Sequence, residues 1–204
     1  RVGLKTCSYL LAKMRILTFL LLVFVMGSAC GSKTNTNNAT ETPVEAAPVV
    51  NEDDLLLRLS AYLSTDTSRA ARDQNSIVDY AIENLIDVQP TNSGLFYRIL
   101  QPGDGEPIAW GDFLSAHYKG YLLNGKVFAD SRAQDRTLEF YVGNMIDAWN
   151  EGLQLIQVGG KIQLLVPSHL GYGAEGLVSS MGRVIVPPHQ ILVFEVEVLE
   201  KQER

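Results

Sequence analysis

The chain has 204 residues, room for one ordinary domain with appendages, and carries 17 Lys and Arg against 23 Asp and Glu, a formal net charge of −6. That acidity, with no basic stripe interrupting it, excludes a nucleic-acid partner. Cys7 and Cys30 are the only cysteines and both fall in the first segment. The remainder therefore holds neither a disulfide framework nor thiol chemistry.

From Met14, Arg15 leads into ILTFLLLVFV, Ile16 to Val25. About ten apolar residues suit the h-region of an export signal and fall short of a spanning helix. Met14 then reads as the start, with residues 1–13 upstream of it. Gly27, Ser28 and Ala29 stand just before Cys30, which resembles the lipobox of bacterial lipoproteins, where the cysteine receives lipid and becomes the first mature residue. Gly27 departs from that pattern, in which a larger aliphatic residue is usual. An ordinary secretory peptide cleaved near Ala29 is the alternative. The segments expected are a signal peptide over 1–29 and a lipid anchor at Cys30 that ties the protein to a membrane of the bacterial envelope, facing the periplasm. A disordered tether follows over 30–51, polar and Pro/Ala-rich without a period.

Residues 52–91 carry two helical patterns. Asp53 and Asp54 open the first, favourably for the helix dipole, and Leu55, Leu56, Leu59, Tyr62 and Leu63 follow at helical spacing. The second opens near Ser68 and carries Ile77, Val78, Ala81, Ile82, Leu85 and Ile86. These helices either pack on each other and on the main domain, or form an arm that pairs two copies of the chain into a homodimer.

After QPTNSG the pattern turns to strand. Leu95–Leu100 is a short β run, PGDG a turn, and Phe113–Leu123 a longer strand closed by Asn124-Gly125, a hairpin signal. Lys126–Phe128 and Leu138–Val142 continue the sheet. Ile146, Trp149 and Leu153 share one helix face, which Gly159-Gly160 ends before the strand Lys161–Val166. In ILVFEVEVLE, Leu192, Phe194, Val196 and Val198 alternate with Ile191, Val193, Glu195 and Glu197, so the glutamates read as a solvated face. The expected fold is α+β: a twisted antiparallel sheet wrapped over one short helix across 92–204, preceded by the short helical segment.

Conventional catalysts do not assemble. GYGAEG, Gly171 to Gly176, matches the glycine pattern of a dinucleotide site, but Gly182, Pro187 and Pro188 stand where the phosphate-binding helix would have to run. His117, His169 and His189 lie far apart with no pair at metal spacing. Ser179-Ser180 lacks the frame of a nucleophile elbow, and Asp130, Asp135, Glu139, Asp147 and Glu151 read as a solvated charged face. What remains is a series of aromatics in or beside glycine turns.

The blocks SAHYKGYLLNGKVF, IDAWNEGL, LGYGAEG and VPPHQILVFEVEVLE follow one another in the order found in the FKBP-type peptidyl-prolyl isomerases, which the chain resembles over roughly its last 110 residues. The resemblance implies an apolar pocket for a prolyl ring, catalysing through Tyr118, Phe128, Ile146, Trp149, Tyr172 and Phe194, with Leu138, Ile185, Val186 and Asp130 contacting substrate. Trp149 would be the pocket floor. The Ile146 N–H and the Tyr172 hydroxyl would hold substrate carbonyls. Clients would be proline-containing polypeptides, with no metal and no cofactor.

Three departures stand out. The family places aspartate directly after the pocket phenylalanine, where it supports the pocket tyrosine, whereas Phe128 is followed by Ala129 and only then by Asp130. Leu138 stands where an aromatic is often found, and GLVSSMGRVIVPP lengthens the loop after Tyr172. Ala129 keeps open a second reading, a non-catalytic chaperone or peptide-binding module using the same groove.

Overall fold

Asn51 opens the described part of the chain, residues 51–202 of this computed structural model. The expected signal segment, Cys30 and the tether up to residue 50 lie outside the described residues. The Asn51 side chain accepts the N–H groups of Asp53 and Asp54 and so caps helix α1, Glu52–Ser60. Ser68 does the same for α2, Arg69–Glu83, through the N–H of Ala71. Each helix has one buried stripe, Leu55 and Leu59 on α1 and Ala71, Ile77, Val78 and Ala81 on α2, which also buries Asp73.

The strands are β1 (Gln89–Pro90), β2 (Phe96–Gln101), β3 (Phe113–Leu122), β4 (Val127–Asp130), β5 (Leu138–Tyr141), β6 (Lys161–Val166), β7 (Leu177–Val178), β8 (Val184–Val186) and β9 (Leu192–Lys201), with the short helix α3 (Asp147–Gly152) between β5 and β6. The main sheet runs β1-β2-β6-β9-β3-β4, and β5 joins β4 along the same edge of β3; every pairing is antiparallel. This is the expected α+β architecture, with element ends displaced by a residue or two. Two features went unforeseen. β1 is two residues long and contains a proline, too short to show a period. The lengthened loop folds as the β7–β8 hairpin, because Leu177 and Ile185 pack onto the core while Val178, Met181 and Val184 stay exposed.

Both faces of the sheet are used. On one, Leu114, Ala116, Leu164, Phe194, Val196 and Val198 bury Trp149 and Leu153 from the α3 region. On the other, Phe96, Leu165 and Val193 lie under Leu55, Leu59, Ile77, Val78 and Ala81, with Tyr62 meeting Phe96 edge-on at 6.0 Å. The face of β9 read as solvated is therefore split: Val193 is buried beneath the helices, while Glu195 and Glu197 further along are partly exposed. The helices cover one end of that face and no alternation within β9 could reveal it. Tyr121 marks the edge of the cover, donating to Glu195 at 3.3 Å and accepting from Gln163 at 3.2 Å. Burial pushes its phenol up to about 12, against the opposing pull of the Gln163 bond.

Because Phe96 is shared by sheet and helices, Phe96→Ala is expected to cost about 3–5 kcal/mol. In a urea titration the helical and sheet signals should still disappear in one transition. Two resolved transitions would mean that the helices are an independent layer.

Candidate functional site

Trp149 is the centre of a ring cluster drawn from four elements. Its ring meets Tyr118 of β3 at 5.3 Å, Phe140 of β5 at 5.4 Å and Phe194 of β9 at 5.5 Å, all edge to face. Phe128 of β4 continues the chain of contacts to Phe194 at 5.6 Å and to Tyr172 at 6.4 Å. These are favourable quadrupole geometries, worth about 0.5–1.5 kcal/mol per pair beyond burial. Trp149 and Phe194 are each 2 % exposed. Tyr118, Phe128, Leu138, Ile146, Tyr172 and Ile185 are half-buried against them and form the accessible walls. Val186, at 1 % exposure, backs the wall from inside rather than lining it. The indole N–H of Trp149 is buried without a partner among the described residues.

Two residues that the sequence reading passed over make this arrangement possible. The first is Gly120. In the β3–β4 ladder Lys119 faces Asp130, Gly120 faces Ala129 and Tyr121 faces Val127, so Phe128 is the extra residue of a bulge. Its ring lies over Gly120, where a Cβ would stand 2.7 Å from Phe128 Cζ and 2.8 Å from Phe194 Cε1. The signal was present in HYKGY but carried no hint of which rings need the space. The second is Asn150, 6 % exposed. Its side-chain oxygen accepts from Gly143 N–H at 2.8 Å and Met145 N–H at 3.2 Å, while its amide donates to Met145 C=O at 2.7 Å. Ile146 follows as the N-cap of α3, its carbonyl taking the N–H groups of Trp149 and Asn150. Its own N–H has no acceptor among the described residues, and remains available to an external carbonyl.

Tyr172 is presented by a tight loop. Ser168 C=O accepts from Gly171 N–H at 3.2 Å and Gly173 N–H at 2.9 Å, and Tyr172 C=O accepts from Gly176 N–H at 3.0 Å. Gly176 has φ +70°, and a Cβ there would collide with the backbone of Val186 and Pro187. The glycines of GYGAEG thus serve loop closure. Burial, with a smaller contribution from Tyr118, raises the Tyr172 phenol above its ordinary value. The hydroxyl is therefore a donor at neutral pH, and it makes no hydrogen bond among the described residues.

Asp130 is not where the resemblance put it. Strand alternation sets Ala129 on the Gly120 side of the sheet and Asp130 on the Lys119 side. There its carboxylate accepts the N–H groups of Arg132 and Ala133, both at 3.0 Å, and lines an outer cleft with His117, Lys119 and Glu195. The bulge at Phe128 does not carry it round to Tyr172. The three histidines stay apart: His117 meets Ser131 Oγ at 3.0 Å, His169 meets Ser93 C=O at 3.2 Å, and His189 lines a separate cleft beside Arg69 and Arg72. Among the described residues no group of three His, Cys, Asp or Glu is placed to hold a metal ion. Cys30 lies outside the described residues.

Gly120→Ala should cost about 1–3 kcal/mol by overpacking, with displaced ring signals for Phe128 and Phe194 in NMR spectra. The Tyr172 phenol should titrate above pH 10 when its ring carbon is followed by NMR. Because the folded state holds that proton more tightly than the unfolded chain, its contribution to stability is complete below about pH 10 and is lost as pH rises through the folded value. Tyr172→Phe should remove that alkaline limb.

Comparison with known proteins places this geometry. Residues 105–199 match the family model described as FKBP-type peptidyl-prolyl cis-trans isomerase. A probable FKBP-type peptidyl-prolyl cis-trans isomerase of Haemophilus influenzae is 44 % identical over 114 residues, 56 % of this chain and 45 % of that protein. An FK506-binding protein of Neisseria meningitidis is 40 % identical over 112 residues, 54 % of this chain and 98 % of that protein. The crystal structure of FkpA from Escherichia coli aligns with TM-score 0.55 at 30 % identity, covering 72 % of this chain and 63 % of that one. The matched region spans less than half of the Haemophilus protein and of Escherichia coli FkpA. With the neisserial protein matched over nearly its whole length and the ring cluster in place, the chain belongs to the FKBP-type peptidyl-prolyl cis-trans isomerase family.

Proposed function

We propose that the protein is a peptidyl-prolyl cis-trans isomerase acting on Xaa-Pro bonds of exported polypeptides. One observation carries the reading: an apolar ring cage floored by Trp149 stands beside two unengaged donors, the Ile146 N–H and the Tyr172 hydroxyl. Rotation about an Xaa-Pro bond meets a barrier of about 18–20 kcal/mol because amide resonance is lost in the twisted state. No proton transfer or nucleophile is required. Tyr118, Phe128 and Phe194 enclose the prolyl ring above Trp149, Leu138 and Ile185 shape the rim, and the two donors take substrate carbonyls. A dry wall fitted to the twisted form lowers the barrier by differential binding, and each tenfold in rate needs only about 1.4 kcal/mol. Asp130 has no part in this, since its carboxylate is held by its own turn.

Ala129 supports the second reading, a chaperone or peptide-binding module that keeps the groove with little turnover. It puts a methyl group where the family has its aspartate. Cis/trans exchange in an Xaa-Pro peptide, measured by NMR without a coupled protease, separates the two. Exchange should be fast and fall about tenfold or more in both Tyr172→Ala and Phe128→Ala. A folded protein that exchanges the peptide no faster than buffer, or that gains tenfold or more from Ala129→Asp, favours the binding module.

The same proposal places the protein in the bacterial envelope, with 1–29 a signal peptide, Cys30 the lipidated residue facing the periplasm, 30–51 a tether, 52–91 the helical segment and 92–204 the isomerase domain. The run Ile16–Val25 and the sequence Gly27-Ser28-Ala29-Cys30 support it. Burial of Leu55, Leu59, Ile77 and Val78 against the sheet favours the helices as a layer of the same molecule over a pairing arm. Cys30→Ser should shift the protein from the membrane to the soluble fraction and remove a lipid-sized mass from the mature N-terminus. Membrane retention of that variant would exclude the anchor.

A further inference from the structure

Asp73 is a carboxylate on the buried stripe of α2, 4 % exposed. A buried charge is costly unless hydrogen bonds satisfy it. Asp73 Oδ2 accepts from both the N–H and the Oγ–H of Ser168, at 2.9 and 2.5 Å. Ser168, 1 % exposed, opens the short turn Ser168–Leu170 that leads directly into Tyr172. Its carbonyl in turn accepts the N–H groups of Gly171 and Gly173, the two amides that flank Tyr172. One serine is thus gripped on its donor side by the helix and grips the tyrosine loop with its acceptor side. On the far side of the loop, His189 N–H donates to Gly173 C=O at 2.7 Å.

We propose that Asp73 is a positioning residue for Tyr172: acting through Ser168, it fixes the turn that aims the Tyr172 hydroxyl into the pocket. This rests on Tyr172 being a donor to substrate. Asp73 lies outside residues 105–199, the stretch matched by the family model, so the helical segment supplies, from beyond that stretch, a contact to the turn that leads into Tyr172. Simple attachment of the helix does not account for the carboxylate. The apolar layer of Leu55, Leu59, Ile77, Val78 and Ala81 on Phe96, Leu165 and Val193 already attaches it. A buried carboxylate adds little stability over an apolar residue of similar size, and what it contributes is direction.

The test uses the full chain carrying Asp73→Ala, Asp73→Asn or Val78→Ala, each with Tyr172 intact and with Tyr172→Phe. Val78 is buried on the same helix and serves as a control for lost packing. Asp73→Ala should lower kcat/KM for Xaa-Pro exchange about tenfold with Tyr172 present and less than about twofold with Tyr172→Phe, the non-additivity of residues acting as one unit. It should also speed hydrogen exchange at the Gly171 and Gly173 amides about tenfold more than at Trp149. Asp73→Asn should keep the rate within about threefold, because an amide oxygen in the place of Oδ2 can accept from both the N–H and the hydroxyl of Ser168. Val78→Ala should lower stability and leave the rate and the two glycine amides unchanged. Equal losses in both tyrosine backgrounds, or unchanged exchange at Gly171 and Gly173, would overturn the proposal. If Asp73→Ala fails to fold, Ser168→Ala, which removes only the hydroxyl bond, carries the same expectations. A wild-type chain without isomerase activity would refute the functional reading alone, and amide exchange at Gly171 and Gly173 would still decide whether Asp73 holds the loop.

Discussion

Wedging of Trp149 between the rings of Tyr118, Phe140 and Phe194 is the contact on which the rest depends. α3 has six residues and no side-chain cap, far below the length at which a helix persists in water. It stands because one large side chain is inserted into the sheet, and the sheet curves around it because that side chain must be enclosed. The same insertion creates the functional surface. Around Trp149 the aromatics Tyr118, Phe128 and Tyr172 stay half-buried and leave an apolar wall partly exposed.

Precision in this wall comes from a few polar clamps. Asn150 binds the Gly143–Met145 backbone at three points, and this fixes the approach to Ile146 while leaving the next N–H unengaged. The clamp sits on α3 itself, so donor and floor move together. Tyr172 is different, since it comes from a loop, and loops are the least stable parts of a fold. Its position depends on Ser168, and Ser168 depends on Asp73 in another layer of the molecule.

How much of this was legible follows from range. β3, β9 and the α3 face were visible because a half-buried strand or helix writes its period into adjacent residues. The aromatic blocks pointed to the rings of the cluster except Phe140, which nothing in the strand Leu138–Val142 singled out. What stayed hidden was set by partners distant in sequence. The face of β9 splits between Val193 and Glu195 because α1 and α2 cover only one end of it. The bulge at Phe128 decides that Ala129, and not Asp130, shares a side with Gly120, and nothing in GKVFADS marks a bulge. Nothing in the sequence singles out Asp73, because its partner lies 95 residues away.

The bulge also clarifies what the departure at Ala129 means. An aspartate at that position would lie on the Gly120 side of the sheet, the side of the Phe128 and Phe194 rings. The chain instead presents a methyl group there, and burial, with a smaller contribution from Tyr118, raises the Tyr172 phenol. A tyrosine hydroxyl has one proton to donate, and with no carboxylate to take it that proton stays available to a carbonyl. On the proposed reading, a carbonyl entering the pocket meets a hydroxyl that has no hydrogen-bond partner among the described residues. On the proposed role of Tyr172, the orientation of that hydroxyl then rests on the backbone that carries it, the loop that Ser168 C=O closes through the Gly171 and Gly173 N–H groups.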